Sequence, residues 1–147
     1  MRQIGQEGEA GLQTSKSIKP IALLMMEDFD ITPYKLQEDI IQQTVQQIVK
    51  DFSMFGMDIY FSGNMILAYN EVLRQLSGFM EMLIIRDFHK LLSLLYQIDL
   101  NDQVIVEAEN DNPDIPRHEL MAELIVHREL QKVIMRNYYK QNKDKLA

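Results

Sequence analysis

Apolar residues recur three and four positions apart through several segments of this chain. That period is the strongest constraint on its fold, because only an α-helix gathers such residues onto one face. Leu36, Ile40, Ile41, Val45, Ile48, Val49 and Phe52 form the first stripe, with Gln42, Gln43, Gln46, Gln47 and Lys50 mostly facing away. Thr32 offers a cap for the free backbone N–H groups, and Pro33 suits the first helical position, where its missing N–H costs nothing. This helix is expected to stop before Gly56.

The spacing predicts a second helix over 64–85, with Val72, Leu73, Leu76, Met80, Leu83 and Ile84 inward. Gly78 weakens it by roughly 1 kcal/mol relative to Ala and marks a place for a kink or a close helix approach. Asp87 is expected to cap a third helix through Phe88, Leu91, Leu92, Leu94, Leu95, Tyr96 and Ile98. Apolar on nearly every side, it reads as the central, most buried element. A last helix is expected over 116–139, with Leu120, Leu124, Ile125, Val133, Ile134 and Tyr138 inward and a polar, fraying end.

Between these helices the signals are weaker. Met57, Ile59 and Phe61 alternate in the manner of a strand, but a lone strand has no sheet to join. An extended linker that lays apolar side chains on the core is therefore the preferred reading. Asp102 suits the start of a single helical turn over 103–108, although Val104, Ile105 and Val106 favour a strand. Residues 110–116, with two prolines, read as a loop.

Together these signals predict an all-α fold, an irregular antiparallel bundle of about four helices. A disordered N-terminal tail is expected over 1–24 and a single helical domain over 25–147. Three of the six glycines fall in residues 1–20, which show no periodicity. Met25 and Met26 precede the first patterned segment, so an alternative translation start falls there. The intact mass of the natively expressed protein distinguishes the two starts.

Composition narrows the function classes. The net charge is −7, with 22 acids against 15 bases, so nucleic acid is not the expected partner. Charge is uneven: residues 99–123 hold eight acids against Arg117, whereas 128–145 hold six bases against Glu129 and Asp144. The absence of cysteine excludes disulfides, thiolate metal sites and cysteine nucleophiles, and fits a cytoplasmic protein. The longest apolar run near the start, residues 21–26, is too short for a signal-peptide core or a membrane span.

No motif carries chemistry. His118-Glu119 opens like the zinc motif H-E-x-x-H, but Ala122 stands where the second histidine belongs. Glu119, Glu123 and His127 share one face of the last helix and would serve a divalent metal only if another helix added ligands. No Glu precedes a His by three, as a di-iron bundle requires. Ser93 follows His89 by four, without an oxyanion-hole sequence nearby. Neither a catalytic set, nor a metal site, nor a cofactor is predicted, and no small-molecule ligand is identified.

The most specific polar feature is a ridge of Arg128, Lys132, Arg136 and Lys140, each four apart on the last helix. It reads as a solvated face, or as a grip for an acidic protein partner, a neighbouring subunit or the phosphates of a nucleic acid or phospholipid. Phe55 and Tyr60 complete the candidate partner-binding residues, since exposed aromatic side chains mark interfaces. The expected function is a non-enzymatic protein-interaction module, an adaptor or accessory subunit, with a protein partner or self-association. One alternative is a small acidic chaperone that holds an extended client segment. Another is a metal-dependent or hydrolytic enzyme built on His118, Glu119, Glu123 and His127.

Overall fold

The computed structural model describes residue 34 and residues 37–146, the side chains of 143–146 excepted. The tail assigned to 1–24, the proposed cap at Thr32 and Pro33, and Leu36 lie outside the described residues. The fold is all-α. Among the described residues there are five helices and no strand: α1 (Glu38–Ser53), α2 (Ala68–Arg86), α3 (Phe88–Ile98), α4 (Asp102–Asp111) and α5 (Arg117–Leu146).

The helix ends follow local chemistry. At the end of α1, Gly56 adopts φ 76°, and the Met57 and Gly56 amides donate to the carbonyls of Phe52 and Ser53. A left-handed residue closes the last turn in this way, and glycine takes that conformation without strain. Asp87 accepts a hydrogen bond from the Lys90 amide at 3.1 Å, so one residue both ends α2 and caps α3. The chain ends α3 as it ends α1, except that Asp99 supplies the left-handed position at φ 65°. Residues 103–108, expected to give a single turn, lie within the ten-residue helix α4, which also takes in Asn110 and Asp111 from the expected loop. Asn101 is its cap, accepting from the Val104 amide at 3.0 Å. Burial of Ile105 and Ala108 on one face outweighs the strand preference of the β-branched run.

The central element is α5, not α3. Its thirty residues, about 45 Å long, pack against all four other helices. Leu120, Leu124, Ile125, Val133 and Ile134 are fully buried along it, while α3 buries only Leu91, Leu94, Leu95 and Ile98. The all-round apolar character of α3 thus marks a helix whose outer side meets no other described helix.

Met57 and Ile59 are buried in the segment between α1 and α2, and Phe61 is half-buried. The Gln75 side chain bonds both the amide and the carbonyl of Tyr60, at 2.8 and 2.7 Å, as a neighbouring strand would. The Ser62 amide donates to Glu71, and these bonds from Ser62 hold the Glu71 carboxyl below its usual range. The Phe52 and Phe79 rings, 6.2 Å apart, join α1 to α2. Gly78 serves no close approach, for a methyl group placed there meets nothing within 4 Å. Gly78→Ala is therefore expected to raise stability by about 1 kcal/mol in a denaturant titration.

Candidate functional site

A groove of about 480 Å³ opens between α3 and α4. Phe88, Leu91, Leu92 and Leu95 form one wall at spacings of three, one and three. Asp102, Ile105, Val106 and Glu109 repeat that spacing on the facing wall, and Ile84 and Met121 also line the space. The two walls are joined by the short 99–101 connection, yet among the described helices α4 makes its backbone-level contacts with α5 alone. The two helices therefore diverge instead of closing on each other. Phe88, Leu92 and Val106 remain 54%, 44% and 51% exposed. Ile85 and Tyr96 continue the exposed apolar surface beyond the groove. At one rim Arg117 pairs with Glu109 at 2.6 Å.

The basic ridge divides into two halves. Arg128 donates to the Asp99 carbonyl and carboxylate, at 3.0 and 2.9 Å, and to Gln131. Lys132 donates to the Ile98 carbonyl at 3.1 Å and pairs with Glu129 at 2.8 Å. These two cations hold the C-terminal end of α3, where the helix dipole favours positive charge. Arg136 and Lys140 are exposed on the distal half. Of the aromatic candidates, Phe55 is half-buried against the core and Tyr60 is largely exposed. Neither lines the groove.

The histidine–carboxylate set is distributed along α5. His118 lies 3.9 Å from its neighbour Glu119, while Glu123 and His127 line a smaller cleft of about 170 Å³ with Tyr69, Leu73, Val126 and Leu130. Burial pushes the Tyr69 hydroxyl up to about 12 and, with nearby Glu119, raises the Glu123 carboxyl. Among the described residues no group of three His, Asp or Glu side chains is placed to hold a metal ion. Among them too, no helix is long and apolar enough to cross a membrane.

One polar group has no counterpart among the expected site residues. Asp51 on α1 and Glu129 on α5 are both buried, and Asp51 stands close enough to act on the Glu129 carboxyl. Burial, then Asp51, pushes Glu129 up to about 8, against the pull of Lys132. Gln47 donates to Asp51 from the same helix at 3.1 Å. A sequence signal existed: Glu129 stands midway between Ile125 and Val133 in the inward stripe, and Asp51 follows Ile48 by three. The pair joins α1 to α5 inside the protein, and neither carboxyl reaches the surface.

Comparison with known proteins found no relative: no protein-family model, no curated protein and no solved structure matches this chain.

Proposed function

We propose that this chain is a non-enzymatic protein-interaction module, an adaptor or accessory subunit of a larger assembly, whose docking surface is the groove between α3 and α4. The observation that carries this reading is the apolar α3 wall, faced by Ile105 and Val106 of α4, with Phe88, Leu92 and Val106 left exposed. Apolar area of this kind gains free energy when a partner removes it from water, and a cleft between two helices suits a helical segment. The facing stripes at helical spacing favour such a segment over an extended client.

The test is a photo-crosslinking amino acid placed at Leu92, with exposed Gln46 on α1 as the control, in cells that make the protein naturally. The reading expects one defined protein adduct from position 92 and none from position 46. Equal labelling from both positions, or none from position 92, contradicts it.

A further inference from the structure

We infer that the occupant of the α3–α4 groove is an amphipathic helix of a different protein, about three turns long and carrying Lys or Arg beside its apolar stripe. This inference rests on the docking reading above and adds the chemistry of the partner. Length follows from the walls: α3 has eleven residues and α4 ten, so each offers about 15 Å of helix.

Charge follows from α4. Its sequence holds Asp102, Glu107, Glu109 and Asp111 and no base. Asp102 and Glu109 stand at the two ends of the stripe that lines the groove, while Glu107 and Asp111 lie on the outer face of the helix and add only to its overall charge. Arg117 answers Glu109 alone. The opposite wall is uncharged where it faces the groove, through Phe88, Leu91, Leu92 and Leu95. An incoming helix is therefore held by apolar contacts on the α3 side and attracted by acids on the α4 side. That division fixes which way its basic edge must face. A second copy of this chain is a poor occupant, since it brings the same net charge of −7 to an acidic wall.

The experiment titrates three designed peptides of about fourteen residues into the full chain and follows fluorescence anisotropy. One has a Leu stripe flanked by Lys, one the same stripe flanked by Glu, and one the Leu and Lys residues scrambled so that no stripe remains. The Leu/Lys peptide is expected to bind at least about tenfold more tightly than either of the others. Leu92→Asp is expected to abolish the difference between striped and scrambled peptides, and Asp102→Asn with Glu109→Gln to narrow that between Lys and Glu. Circular dichroism verifies that both variants fold.

Equal binding of the Lys and Glu peptides overturns the charge assignment and leaves the docking reading standing. Equal binding of the scrambled peptide overturns the inference by reducing it to unspecific attraction. A chain that binds none of the three, or that sediments as a dimer which Leu92→Asp dissociates, has its groove filled from within or by a second copy. Either outcome overturns the inference, and the first removes the docking reading with it.

Discussion

Raising the pH from about 5 to about 9 is expected to lower the stability of this protein, and Glu129→Gln is expected to flatten that fall. The cause is the buried meeting of Asp51 and Glu129 between α1 and α5. Burial makes the ionised form of Glu129 costly and neighbouring Asp51 adds to that cost, so the folded chain keeps a proton on Glu129 up to about pH 8. The unfolded chain releases the same proton near the ordinary carboxyl value of 4.5. Between these limits folding takes up a proton, so each rise in pH weakens the fold by up to about 1.4 kcal/mol per unit. The contribution is whole below the unfolded value and lost as pH rises through the folded one. Glutamine has nearly the shape of the protonated acid and cannot ionise. Thermal melts of both proteins across this range check the expectation, and parallel profiles contradict it.

The second large effect lies at the centre of α5. Leu124 is fully buried where the longest helix carries the others. Leu124→Ala removes apolar contacts and leaves a cavity that a close-packed core fills only in part. A loss of roughly 2–5 kcal/mol is expected, lowering the thermal midpoint by roughly 10 °C. Leu92→Ala changes the same side chain at a half-open position and is expected to move the midpoint little. Calorimetry of the two variants measures the contrast. Equal losses would mean that the groove wall is part of the core.

These contrasts also show what the sequence carried. Gly56 and Asp87 marked real helix ends because their signals are local: one residue that takes positive φ, one short side chain that caps. The Met57, Ile59 and Phe61 alternation showed which side of the linker faces inward. The depth of α3 is not legible in its sequence, because an apolar helix looks alike whether its last face meets another helix or a groove. The residues of α4 sent conflicting signals: Val104, Ile105 and Val106 favour a strand, and only tertiary contact with α5 settles the matter.

The site divides along the same line. The spacing of Arg128, Lys132, Arg136 and Lys140 was legible, but the use of the first two was not. Their acceptors, Ile98 and Asp99, lie about thirty residues earlier and are brought near only by folding. Likewise the facing stripes of 88–95 and 102–109 become one groove only because α4 leans on α5 and leaves α3 partly open.

The most direct measurement is a titration of the isotope-labelled full chain with the Leu/Lys peptide, followed by amide chemical shifts. The account predicts that the largest changes fall on α3, α4 and the first turns of α5 around Arg117 and Met121, with Arg136 and Lys140 unmoved. Changes centred instead on the Tyr69, Glu123 and His127 cleft, or on the distal end of α5, would contradict it.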